Sequence, residues 1–161
     1  MRVPLWVRIV GGIELLAAAW AFFGLTLTVS HQGVRSIAVA SALFVVAVVA
    51  AASGVGGYWL LRGNERGTVP SIVALSAQSL RVCAPGLVWL VGLGWTAILV
   101  LYQGSGQVPD GHDAAAWVGH HPYAGYFAIN LPAFVFLSCL VAWRAIRRAE
   151  GSEGSHRAPA V

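Results

Sequence analysis

Apolar residues in this chain run in long blocks, and polar residues collect in the short gaps between them. Four blocks stand out, at about residues 3–29, 37–61, 69–102 and 123–143. A helix needs ~20 residues to cross a hydrocarbon core about 30 Å thick, so the first, second and fourth blocks each fit one crossing. The third does not: as a single helix it would reach about 51 Å. Pro85-Gly86 offers a break, since proline removes a backbone donor and glycine relaxes the turn. Two arrangements stay open. Either a kinked third helix crosses and projects beyond the membrane, or residues 66–84 cross and residues 86–103 form an outer-side interfacial or partly β segment rich in Val, Trp and Tyr. The expected fold is therefore an all-α membrane protein, a four-transmembrane-helix bundle in one domain over residues 1–148. A small, polar, disordered cytoplasmic tail is expected over 149–161.

Composition agrees with the pattern. Hydrophobic residues make up 58% of the chain and charged residues only 10%, with a mean hydropathy of +0.73, far from the values of a domain dissolved in water. The net charge of +4 does not point to nucleic acid, because the basic residues are all arginines scattered at block ends rather than massed on one surface. Cys83 and Cys139 lie far apart in apolar blocks, which leaves neither a CxxC pair nor a disulfide framework. Ala17-Ala18-Ala19 looks like a leader cleavage site, yet the apolar run continues through Phe22, Phe23 and Leu25, so retention of the first helix is expected.

Arginine placement sets the expected orientation. Arg2, Arg8, Arg62, Arg66, Arg144, Arg147, Arg148 and Arg157 fall on one side of a four-crossing arrangement, and Arg35 falls alone on the other. Basic residues favour the cytoplasmic side, so both termini are expected there, in a bacterial inner membrane. Trp6, Trp59, Tyr102 and Trp143 then sit near the interfaces that amphipathic rings prefer. In the second block Ala47, Ala50, Gly54 and Gly57 share a helical face on which a neighbouring backbone could approach closely. Asn130 and Pro132 predict a kink near the outer end of the last helix.

Leu60-Leu61-Arg62-Gly63, then Ser71-Ile72-Val73-Ala74-Leu75-Ser76-Ala77-Gln78-Ser79-Leu80-Arg81-Val82, then Ile129-Asn130-Leu131 opening the last helix, together resemble uncharacterised bacterial four-helix integral membrane proteins. The general plan is similar to that of DoxX-like proteins. The resemblance covers the second, third and fourth helices and implies a topology, not an activity.

Glu14 is the sharpest single residue. A charge at the centre of a membrane helix costs roughly 2.5 to 3.5 kcal/mol on insertion scales, so such a group usually faces protein or water. About ten helical residues separate it from the cytoplasmic end, a depth of about 15 Å. Ser71, Ala74, Gln78 and Arg81 would form one stripe of the third helix, and Arg81 would lie at a depth matching Glu14. The bland expectation is a static ion pair that holds the first and third helices in register. The alternative is a proton- or cation-exchanging carboxylate, similar to that of the small multidrug resistance transporters, although their third-helix aromatic and glycine pattern does not align here.

A second constellation gathers Asp110, His112, Asp113, His120 and His121 between Pro109 and Pro122, with His31 predicted on the same side of the membrane. Imidazole and carboxylate ligands suit a divalent transition metal, but the spacing matches no established signature, and an ordinary solvated loop bounded by the two prolines is the favoured reading. No nucleophile with base and orienter is apparent, and no histidine lies within a span to hold haem, so an enzyme is not expected. The functional expectation is an accessory, partner-binding or sensor component of the membrane, associated with the lipid bilayer and with a membrane protein partner or further copies of itself. Transport through Glu14 and outer-face metal binding are the alternatives.

Overall fold

The computed structural model describes residues 3–34, 37–84, 87–91, 98–103 and 126–156. Helices α1 (Leu5–Gln32) and α2 (Ile37–Leu61) form a long antiparallel pair. A single 3-10 turn, Glu65–Gly67, leads into the shorter α3 (Thr68–Ser79). Four strands follow, β1 (Leu80–Ala84), β2 (Leu87–Leu90), β3 (Ile98–Gln103) and β4 (Tyr126–Asn130), and α4 (Leu131–His156) closes the chain. The protein is mostly helical, with four helices in all besides the 3-10 turn among the described residues.

Two of those helices are long and apolar enough to cross a membrane, over Leu5–His31 and Val39–Leu61. Their exposure separates them from core helices of a water-soluble protein. Only 28% of each apolar window is buried. On α1 the residues Ile9, Ile13, Leu16, Trp20, Phe23 and Leu27 follow one another at alternating spacings of four and three along a single exposed face. Large side chains left bare in this way would expose a continuous apolar stripe to water.

The third and fourth blocks depart from the helical expectation in the same manner. The third stays helical for only the 12 residues of α3 and then becomes strand at Leu80, well before the break expected at Pro85-Gly86. Residues 87–90 and 98–103 are strands, which matches the partly β arrangement and removes the kinked helix of residues 69–102. The physical reason is pairing: Leu-Val-Trp-Leu carries the β-branched and aromatic residues that suit a pleated surface, and Leu-Arg-Val-Cys-Ala, with Val82 alone of that kind, has a partner strand on each side. Within the fourth block Tyr126–Asn130 form β4 and the chain turns helical at Leu131. Pro132 therefore sits in the first turn of α4, where its missing N–H costs no intrahelical bond, rather than at a kink inside a longer helix. At its other end α4 runs through Ala149 to His156, residues for which a disordered tail was expected. Arg147 reaches Glu150 at 3.7 Å, an i,i+3 pair that supports the added turn.

The strand order is β2-β1-β4-β3, all neighbours antiparallel. Leu80 is paired with Ile129 and Cys83 with Tyr126, so the sheet joins the end of α3 to the start of α4. The hydrophobic residues cluster in two places. Val7, Val10, Leu60, Leu75, Leu140 and Trp143 pack together toward the end where the arginines gather, and Ala21, Val46, Val49, Ala50, Ala74 and Val91 pack toward the sheet.

Candidate functional site at the junction of three helices

The turn after α2 sets the geometry of the site. Gly63 adopts φ +74°, Asn64 N–H donates to the Trp59 carbonyl at 2.8 Å and Gly63 N–H donates to that of Leu60 at 2.9 Å, the paired bonds of a Schellman helix end. Asn64 Oδ1 then accepts from Arg66 N–H at 3.0 Å, and Thr68 Oγ1 donates to the Glu65 carbonyl at 2.7 Å. This compact reversal brings α3 back along α2 with Ser71 facing inward.

Glycines then let the backbones meet. A Cβ at Gly57 would stand 2.5 Å from the Gly11 carbonyl oxygen and 2.9 Å from Leu15 N, so α1 and α2 touch main chain to main chain. Gly56, next along α2, lies against Ser71 and Gly67 in the same way. The small-residue face read from the sequence is thus used inside the chain: Gly54 packs against Ala18, Gly57 against α1, and Ala50 is fully buried.

Glu14 sits one turn beyond the Gly11–Gly57 contact and is only 3% exposed. Ser71 Oγ donates to Glu14 Oε2, and Ser53 Oγ of α2 donates to the Glu14 main-chain carbonyl at 3.3 Å. Glu14 Oε1 is buried with no hydrogen-bond partner among the described residues. A carboxylate oxygen shut from water without a donor is costly, by about 1 to 3 kcal/mol or more for a charged group. The site is therefore half satisfied.

Gln78 and Arg81 are both buried, but they stand farther along the chain from Ser71, and only Gln78 lies on α3. Gln78 Nε2 donates to the Ala74 carbonyl at 3.1 Å. Arg81 falls in β1, paired with Leu90 and Ala128, and the helix between Ser71 and Ser79 alone spans about 12 Å. The partner of the Glu14 carboxylate is thus Ser71 and not Arg81. Sequence reasoning placed Ser71 on the right face but gave the role to the charged residue, because it extended α3 past Ser79. Ser53 carried no signal beyond being polar in an apolar helix.

Among the described residues no group of three or more His, Cys, Asp or Glu side chains comes together as a metal site. Asp110, His112, Asp113, His120 and His121 lie outside the described residues. Cys139 is a free, exposed thiol on α4. Comparison of the chain with protein-family models, curated proteins and solved structures gives no match.

Proposed function

We propose that this chain is a multi-pass membrane protein of the accessory, partner-binding or sensor kind, with Glu14 as its responsive group. It crosses a bacterial cell membrane four times, both termini cytoplasmic. Support for the membrane comes from the two long helices and their bare apolar faces. Support for the orientation comes from the arginine end, where Arg8 Nε donates to the Leu61 carbonyl at 3.0 Å and Arg147 pairs with Glu65 at 3.1 Å. The third and fourth crossings combine helix with strand: α3 reaches about 18 Å and β1 about 16 Å, together the thickness of a hydrocarbon core. Sheet edges cannot be satisfied by lipid, so protein must cover them wherever the sheet enters the bilayer.

The single observation that carries the functional reading is the half-satisfied carboxylate. Whatever occupies Oε1, a proton, a cation or the basic group of a partner, changes the charge that Ser71 meets, and Ser71 belongs to the element that ends in the sheet. Transport is less well supported. At Gly11–Gly57 and Gly56–Gly67 the backbones meet directly, so along those two seams Glu14 is separated from the arginine end by main chain.

A photo-crosslinking residue placed at Leu16 or Phe44, both largely exposed, tests the reading in native membranes. The expected result is a discrete protein adduct whose yield changes in Glu14→Gln, with no cation flux in proteoliposomes. Flux that depends on Glu14, with adducts indifferent to it, would transfer the assignment to transport.

A further inference from the structure

Four arginines line one cleft at the end of the molecule opposite the sheet. The cleft, of about 360 Å³, opens between the start of α3 and the last apolar turn of α4, where Arg66, Thr68, Trp143, Arg144, Arg147 and Arg148 face it. Glu65 is the sole acidic residue in its wall and holds Arg147 at 3.1 Å, so positive charge exceeds negative by three. Trp143 closes the inner side, with the Arg147 guanidinium 5.8 Å from its ring centre and Trp6 of α1 edge-on to it at 6.4 Å. Such a wall is stiff, charged and open outward.

We propose that this cleft binds the phosphate headgroup of an anionic membrane lipid. The inference rests on the membrane reading given above. Guanidinium forks match phosphate oxygens in pairs, and basic clefts between membrane helices on the cytoplasmic side suit anionic headgroups. The route for the acyl chains distinguishes a lipid from a free phosphate. Val69, which lines the cleft, is followed one turn along α3 by Val73, both exposed, so an apolar track leads out of the charged cleft toward the bilayer interior.

The test titrates fluorescent phosphatidylglycerol into the full chain in zwitterionic micelles, with phosphatidylcholine as the neutral lipid. Arg144→Gln/Arg148→Gln should bind phosphatidylglycerol about thirtyfold more weakly, from roughly fivefold per arginine near a charged surface. Arg62→Gln, at the same end but stacked over the Tyr58 ring outside the cleft, should lose less than threefold. Arg66→Gln, on the opposite wall, gives a second variant should the double one fail to fold. Equal binding of the two lipids, or equal losses in Arg62→Gln and the cleft variants, would overturn the proposal. Competition by glycerol phosphate or inorganic phosphate at the concentration of the lipid would make this a free-phosphate site and overturn it as well. The membrane reading fails separately: release of the protein from membranes by alkaline carbonate would remove it and leave the micelle titration readable.

Discussion

Gly57→Ala is the sharpest perturbation of the three-helix junction. The added methyl would lie 2.5 Å from the Gly11 carbonyl oxygen, 2.9 Å from Leu15 N and 3.1 Å from Glu14 Cβ, and two of those three atoms are main chain and cannot rotate away. Restoring contacts of about 3.5 Å requires α1 and α2 to part by roughly 1 Å. Overpacking of this kind costs about 1 to 3 kcal/mol, against which alanine returns about 0.5 to 1 kcal/mol of helix propensity. The net expectation is a loss near 1 kcal/mol, or about 2 to 4 °C in melting temperature for a chain of this size. Controls are built into the same helix pair. A methyl at Gly12 would meet only Leu61 Cδ1 at 3.8 Å, and one at Gly24 would meet nothing within 4 Å. Both variants should melt at or slightly above the parent temperature. Thermal unfolding in detergent, followed by tryptophan fluorescence and size exclusion, reads all three. A Gly57→Ala protein as stable as Gly12→Ala would show that α1 and α2 do not meet at their backbones, and the site would lose its frame.

Three further expectations follow from the same geometry. In double-mutant cycles on thermal stability, Glu14→Gln with Ser71→Ala should be non-additive by about 1 kcal/mol or more, while Glu14→Gln with Arg81→Gln should add to within about 0.5 kcal/mol; the reverse ranking would return the role to Arg81. A compartment-sensitive reporter fused after Val161 should report the cytoplasm, and activity confined to the outer compartment would refute four crossings with both termini inside. If the residues between Asp110 and His121 hold a divalent transition metal, elemental analysis should find it in the parent and not in His112→Ala/His120→Ala/His121→Ala; equal, substoichiometric metal in both leaves an ordinary loop.

The two long helices were legible because block length alone decides them: an uninterrupted apolar run of more than twenty residues has few other homes. Glu14 stood out for the same reason, as an ionisable residue inside such a run, and the fold buries it. The third and fourth blocks were not, since a hydrophobic run of Val, Leu, Trp and Ala reads the same as buried helix or buried strand, and only pairing decides between them. Leu80 became strand because Ile129 lay ready to pair with it, a contact between residues 49 positions apart that no local window contains. That one transition moved Arg81 out of the helix and passed its expected role to Ser71. The glycine seam was half visible: Gly54 and Gly57 marked a face for close approach, but their partner, Gly11 and Ala18 of the preceding helix, appeared only in the fold.

The meeting of α3 and α4 at a shared sheet has a mechanical consequence. Two packed helices can ordinarily slide past one another by small steps, since side-chain contacts reform at little cost. Here each helix continues without a break into a strand, and β1 and β4 are joined by main-chain hydrogen bonds in fixed register. A shift of one residue would turn every side chain of a strand to the opposite face. The α3–β1 and β4–α4 arms are therefore clamped against axial slip and behave as one stiff hairpin. Motion in this molecule would have to carry that hairpin as a body against the α1–α2 pair, and its bearing surface is the line where Gly56 and Glu14 touch α3.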